Sequence, residues 1–314
     1  MIALISRILD VSNTLRALKQ RRAIWARRSH GEKILLQRYA RLHGTPLNVT
    51  NPRTFTEKLF CRMIAWNRGH DPIFTQLTDK YAARDYVRSR VGEQPLVELL
   101  WHGTDPRAIP FDALPASYVV KTNHACGQVI LVEGKADDTE IVDKVSAWLK
   151  SNFYWVHRER QYYDIEPRVI VEEYLRNQDG SRPLNYKFWC FGGTPEVIHV
   201  SNYAHNLNSF FDPHWNLLDL HYREGVARPA IPRPIDFERM IQIASQLSAG
   251  FDFVRVDLYN LDGRICFGEL TFTPMAGDLT LRPESWDLAL GEKWKMASTA
   301  HTRKRTSEPY VGYA

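Results

Sequence analysis

Arg255-Val256-Asp257-Leu258-Tyr259, an Asp262-Gly263 turn and Gly268-Glu269-Leu270-Thr271-Phe272 hold the most chemical content in the chain. Two runs of β-forming residues about an Asp-Gly pair read as a hairpin. Asp257 falls on its first strand and Glu269 on its second, so a paired ladder brings two carboxylates together. Left alone they repel, and burying both calls for a cation between them. Hard oxygen ligands of this kind suit Mg²⁺, which takes one or two carboxylates and fills its shell with substrate phosphates. Arg255, two residues before Asp257, leaves the same strand face and suits the clamping of a transferring phosphoryl group. The alternative is a hairpin with ordinary charges on its wet face.

The elements that must position these groups follow an α+β pattern. Helices are expected over 32–42, from a Thr54-x-x-Glu57 capping box to Trp66, and over 76–90, 139–151 and 236–249. Strands are expected at Pro95–Trp101, Tyr118–Thr122, Gln128–Val132, Val169–Tyr174, Tyr186–Phe191 and Val197–Tyr203, before the final hairpin. Residues 302–314 read as a loose tail.

Other residues gain meaning from this order. Lys121 ends a strand and opens the loop Asn123–Gly127, so it can reach the phosphates of a nucleotide over which Gly127 and loop amides close. There is no GxxxxGK[ST] or GxGxxG motif, and taken singly Lys121 reads as an edge-strand lysine and Lys80 as an exposed helical one. In Val171-Glu172-Glu173-Tyr174-Leu175 an apolar strand runs into two acids, suited to reading an adenine edge or, alternatively, facing water. Lys187 alternates out of an apolar strand and can face a phosphate. His199 reads as a satisfied core or edge histidine, His205 as a polar loop residue, and Cys126 as incidental.

The composition, 44% apolar and 12% aromatic, belongs to a folded chain of two or three lobes. Four scattered cysteines (Cys61, Cys126, Cys190, Cys266) show no zinc spacing and point to a reducing compartment. No apolar run reaches membrane-span length, and the opening residues, broken by Arg7 and Asp10, make a poor signal peptide; a cytoplasmic protein is expected. Residues 1–44 carry a net charge of +8 against +5 for the whole chain. The basic surface thus belongs to an arm rather than a catalytic body, which counts against a nucleic-acid enzyme. The arm's apolar stripe fits packing on the body or peripheral contact with an anionic membrane face.

In order, Asp79-Lys80, Lys121 with its loop, Val171–Leu175, Tyr186-Lys187-Phe188, Arg255-Val256-Asp257 and Glu269-Leu270-Thr271 resemble the ATP-grasp superfamily. Asn51-Pro52-Arg53-Thr54-Phe55-Thr56-Glu57-Lys58-Leu59, Asp79-Lys80-Tyr81 and Lys121-Thr122-Asn123-His124 are similar to its teichuronopeptide-biosynthesis-type (TupA-like) members of surface-polysaccharide synthesis. The likeness runs from about residue 45 to 295.

The resemblance implies two α+β lobes clasping ATP: a helical or αβ region at 45–116, a small lobe at 117–180 and a large lobe at 181–300. Lys80, Lys121 and Gly127 would hold phosphates, and Glu172, Glu173, Tyr174 and Leu175 would contact adenine. Asp257 and Glu269 would bind Mg²⁺, while Arg255 and Lys187 would stabilise an acyl phosphate. Thr271 stands where the superfamily usually places Asn, and Asn185 where an acid is common, so the second Mg²⁺ and the role of that strand stay open. The implied reaction joins an amine to a sugar or glycan carboxylate in capsule-type polysaccharide. Rival readings keep the site but phosphorylate a glycan hydroxyl, or make the chain a non-catalytic glycan- or nucleotide-binding component.

Overall fold

The computed structural model describes residues 31–222 and 224–296. Most of the basic arm and the tail expected at 302–314 lie outside the described residues. The α+β expectation holds, with two antiparallel sheets and helices packed on each.

The smaller sheet joins Leu99–Gly103 (β1), Ser117–Thr122 (β2), Val129–Glu133 (β3) and Val169–Glu173 (β4) in the order β1-β4-β2-β3. Strand alternation sends Tyr118, Val120, Val132, Val169 and Val171 to one face, where Ile141 and Val145 of the Asp138–Leu149 helix cover them. Asp137 caps that helix by accepting from the Thr139 and Glu140 amides. Lys121 and Glu172 leave from the opposite face.

The larger sheet orders Asn185–Phe191 (β5), Thr194–Ser201 (β6), Asn208–Phe211 (β7), Phe253–Leu261 (β8) and Arg264–Thr271 (β9) as β7-β6-β5-β8-β9. Phe188, Ile198, Val200, Val254, Val256 and Leu258 pack on Phe237, Met240, Ile243 and Leu247 of the Phe237–Ser248 helix. The Phe55–Arg68 helix closes one end of the sheet. Both halves of its capping box form between Thr54 and Glu57, and Phe55 sits among Trp189, Phe253 and Trp294. From this helix, buried Arg62 donates to the Phe253 and Phe272 carbonyls and pairs with Asp252. Close approach to the Ser285–Lys293 helix needs Gly291, since a Cβ there would lie 2.1 Å from the Arg53 carbonyl oxygen. The Lys33–His43 helix, the described end of the arm, packs on Phe60 and Met63 through Leu35 and Tyr39.

The β8–β9 hairpin departs from a regular ladder at one point. Its two-residue turn at Asp262-Gly263 sets Leu261 opposite Arg264, and the pairing continues regularly to Leu258 opposite Phe267. Unbroken, that register would set Asp257 against Gly268 and turn Glu269 to the apolar face beside Val256. A bulge shifts it by one residue, so that Asp257 faces Glu269. Gly268 is the added residue; a Cβ there would come within 3.1 Å of the Asp257 carbonyl oxygen.

Three expectations need correction. The helix predicted over 76–90 is two, Pro72–Thr78 and Ala83–Val91. Asp79 breaks it by accepting from the Tyr81 and Ala82 amides while the Lys80 amide donates to the Asn123 carbonyl. The strand predicted from Pro95 starts at Leu99, and the one predicted to Tyr203 ends at Ser201. β7 and the Ser285–Lys293 helix were not predicted. Among the described residues no helix is long and apolar enough to cross a membrane.

Candidate active site

One line of side chains crosses the larger sheet on the face away from the Phe237–Ser248 helix. Phe210, His199, Lys187, Asp257 and Glu269 stand opposite one another on successive strands. Residues directly opposed in a ladder share a face, so the register alone gathers a lysine between a histidine and two acids. Lys187 is buried and donates to Ser201 Oγ at 2.8 Å. His199 stacks on Phe210 at 4.3 Å, and its Nε2 lies 2.7 Å from Asn208 Oδ1, which also accepts from the Tyr222 hydroxyl. The expected satisfied histidine is what the structure holds.

Arg255 sits beside this line. Its Nε and Nη2 reach the two Asp257 carboxylate oxygens at 2.6 and 2.7 Å, and Nη2 also reaches Glu269 Oε1 at 3.2 Å. The Thr271 hydroxyl accepts from Nη2 at 3.0 Å and donates to Glu269 Oε1 at 2.7 Å. The guanidinium thus spans both acids; the sequence placed it on the strand face of Asp257 as a clamp for a phosphoryl group.

On the smaller sheet, Lys121 Nζ pairs with Glu172 at 2.5 Å, and Arg84 reaches the other Glu172 oxygen at 3.4 Å. Glu172 lies close enough to Tyr259, two residues beyond Asp257, to help hold its phenol above the ordinary value, after burial, Asp257 and Glu269. The residues expected at an adenine edge therefore meet the larger sheet. Glu173 forms a bidentate pair with Arg264 at 2.7 Å, and Leu175 packs with Val97, Leu261 and Cys266. The Tyr174 hydroxyl instead donates to Glu133 at 2.6 Å.

The loop between β2 and β3 is tied down rather than loose. Asn123 donates to the Glu166 carbonyl and accepts from the Arg168 amide, and His124 Nε2 lies 3.1 Å from the Ser151 carbonyl oxygen. Gly127 takes φ of 75°, which favours glycine. Lys80 Nζ donates to the Ala125 carbonyl at 2.7 Å. Lys80 also acts on Glu269: burial pushes that carboxyl up, but Lys80, then Arg255, bring it below its ordinary value. The break at Asp79 is what turns this lysine inward. Burial holds Asp257 above the ordinary carboxylate range, against the pull of Arg255.

Glu159 was missed in the sequence. It is buried, accepts from the Thr273 hydroxyl, and is pushed up to about 7 by burial, with Glu269 among its neighbouring charges. Glu269, Thr271 and Thr273 alternate along one side of the chain, which carries Glu159 to the edge of the site. Ser201, Asn208 and Tyr259 were missed too; their only signal is that they share a row with Asn185, next to the row of Lys187 and Asp257 on the same face.

Asp257 and Glu269 supply hard oxygens on neighbouring strands, and among the described residues no group of three His, Cys, Asp or Glu side chains is arranged to hold a metal ion. A two-carboxylate set fits Mg²⁺ whose remaining ligands are phosphate and water oxygens. Asn185 Oδ1, on the Lys187 side of β5, is buried without a hydrogen-bond partner, an acceptor ready for a ligand hydroxyl or amine.

Among solved structures, the chain is similar to the D-alanine–D-alanine ligase of Bacillus anthracis complexed with ATP, at 15% identity and TM-score 0.39 over 63% of this chain and 54% of that one. The corresponding ligase of Helicobacter pylori matches at 13% identity and TM-score 0.41, over 69% and 61% of the two chains. A RimK-domain ATP-grasp protein of Sphaerobacter thermophilus matches at 14% and TM-score 0.40, over 74% and 69%. The chain thus spans less than two thirds of the two D-alanine–D-alanine ligases. No curated protein matches it. The family model for TupA-like ATP-grasp proteins matches residues 57–295, and the chain belongs to that family and has its ATP-grasp fold.

Proposed function

We propose that the protein is an ATP- and Mg²⁺-dependent ligase that activates a carboxylate as an acyl phosphate and passes it to an amine. The observation that carries this reading is the convergence of Lys187, Asp257, Glu269, Arg255 and Lys80 on one sheet face. A carboxylate has no usable leaving group at neutral pH, and transfer of the ATP γ-phosphoryl supplies one. Lys80, Lys121 and Lys187 neutralise charge on the phosphate oxygens, and Gly127 lets the loop backbone approach them. The Glu172–Leu175 segment lines the nucleotide's base, with Asn185 Oδ1 available to a ligand hydroxyl. Asp257 and Glu269 would hold Mg²⁺, which when bound would supply electrostatic stabilisation of the transferring group. Arg255 steadies the oxyanion formed when the amine attacks and phosphate departs. Closure of the two lobes keeps water from the acyl phosphate.

The family's likeness to teichuronopeptide-type proteins favours a sugar or uronic-acid carboxylate and an amino acid or other amine, in surface-polysaccharide synthesis. Purified protein supplied with Mg·ATP, glucuronic or galacturonic acid and a panel of amino acids tests this. The ligase reading expects ADP release that needs both partners. ADP release with a phosphorylated sugar and no amine would replace it with the kinase reading. The basic arm's contact with an anionic inner membrane face is tested by vesicle co-sedimentation, and equal partitioning of full chain and a form lacking residues 1–44 would remove it.

A further inference from the structure

The geometry points to Arg255 as the resting counter-ion of the Asp257–Glu269 pair, displaced from Asp257 when a metal–nucleotide complex enters. This rests on the metal site proposed above. Both Asp257 oxygens already accept a guanidinium N–H, at 2.6 and 2.7 Å, and the same Nη2 reaches Glu269 Oε1 at 3.2 Å. A Mg²⁺ ion needs oxygens at about 2.0–2.1 Å and would meet the fixed positive charge of Arg255 at the same carboxylates. The side chains of Arg255 and Asp257 are 11% and 3% exposed, so water screens this repulsion poorly.

The charge balance decides what can enter. Three cations, Lys80, Arg255 and Lys187, act on Glu269, and Arg255 and Lys187 also act on Asp257. A bare divalent cation would meet carboxylates whose charge is already offset by buried cations. A metal–triphosphate complex is net negative, and its phosphate oxygens offer Arg255 a new bidentate partner. Arg255 therefore exchanges one pair of oxygens for another, and the ion it yields to must arrive with the nucleotide. No bond is made or broken in this exchange; it is a competition of two cations for Asp257. It excludes free metal from the resting site and brings the guanidinium to the phosphoryl group only when the site is loaded.

Equilibrium dialysis against Mn²⁺, read by electron paramagnetic resonance, tests this without any acceptor substrate. Wild-type protein is expected to retain Mn²⁺ only with a non-hydrolysable ATP analogue. Arg255→Gln is expected to retain Mn²⁺ without nucleotide, at least about tenfold more tightly than wild type. Arg255→Lys, which keeps the charge but loses the fork, carries the test if the glutamine variant does not fold by circular dichroism; a smaller gain of the same sign is expected. Bare Mn²⁺ binding as tightly to wild type as to the folded variants overturns the competition while leaving the metal site standing. Failure of wild type to retain Mn²⁺ with the analogue removes the metal site itself, and the proposal with it.

Discussion

On the helix-covered face of the larger sheet, Phe188, Val256 and Leu258 are sealed from water among apolar side chains. One residue away along the same strands, Lys187 and Asp257 are nearly as buried, yet their neighbours are charged. Both faces share backbone, depth and register; only the alternation of side chains separates them. The apolar face makes the strands rigid, and that rigidity keeps like charges across from one another at close range. A sheet with a soft core would let Asp257 and Glu269 relax apart, and the cations would then have nothing fixed to bridge.

Exchanging the two faces gives the largest expected effect. Inserting an alanine after Gly268 moves the rest of β9 one place along the ladder, turning Glu269 and Thr271 towards Val256 and bringing Leu270 and Phe272 to the charged side. Leaving a carboxylate unpaired in the core is expected to cost more than about 3 kcal/mol. Urea melts measure this, and an insertion variant of wild-type stability would show that the register at the bulge does not sort the faces.

Single substitutions separate the faces more gently. Phe188→Ala is expected to lose about 3–5 kcal/mol of stability and to retain Mg²⁺-dependent binding of an ATP analogue while folded. Asp257→Asn, still able to accept from Arg255, is expected to cost less stability and to weaken analogue binding at least about tenfold. Paired denaturation and calorimetric titration check both. The contrast fails if the two variants lose binding in proportion to stability.

How far the sequence disclosed this arrangement follows from the same alternation. The hairpin, the capping box and the strands around Lys121 and Lys187 are written in local patterns of turn residues and alternating side chains, and they appear where expected. Pairing Asp257 with Glu269 was expected without the bulge it requires, although an interior strand glycine such as Gly268 is the usual sign of one. The break at Asp79 was hidden because helical periodicity continues through it, and a distant carbonyl at Asn123 helps fix the turn. β7, four residues long, is too short to show a period. Glu159 carries no local signal at all; only the fold brings it to Thr273 and near Glu269. Arg255 was correctly set on the face of Asp257, but whether its fork would point at carboxylates or phosphate depends on distances that spacing does not contain.

Glu159 lies at the edge of the charged face and gives that face a pH signature. Its folded value, raised to about 7 from 4.5, means that between these two limits the folded protein keeps a proton the unfolded chain has lost. The unfolded state then binds fewer protons, so stability falls as pH rises through this window. Arg38, Glu269 and Asp278 act on the same carboxyl, the first opposing the shift and the other two adding to it. Relative to wild type, Glu159→Gln is expected to gain up to about 3 kcal/mol between roughly pH 5 and pH 8. Parallel stability curves for the two proteins would exclude an ionised burial cost at this residue.

The smallest expected change in stability lies where the two lobes join. Glu133 at the end of β3 accepts from the Tyr174 hydroxyl, Arg176 and Arg182, and these hold its carboxyl down at about 2. Its contribution is present above 4.5 and lost as pH falls towards 2. Arg182 stacks at 4.3 Å over Tyr203, just beyond β6, so one exposed cluster touches β3 of the smaller sheet, the linker of residues 174–184 between β4 and β5, and the chain at Tyr203 where it leaves the larger sheet. Exposed ion pairs add little to stability, and Glu133→Gln is expected to leave the melting temperature nearly unchanged. It is nonetheless expected to speed hydrogen exchange across residues 174–182, because three linker side chains lose their common anchor. Unaltered exchange there would mean that Glu173 with Arg264, together with Leu175 packed against Leu261, holds the linker without Glu133, and that opening between the lobes is governed on the side of the larger sheet.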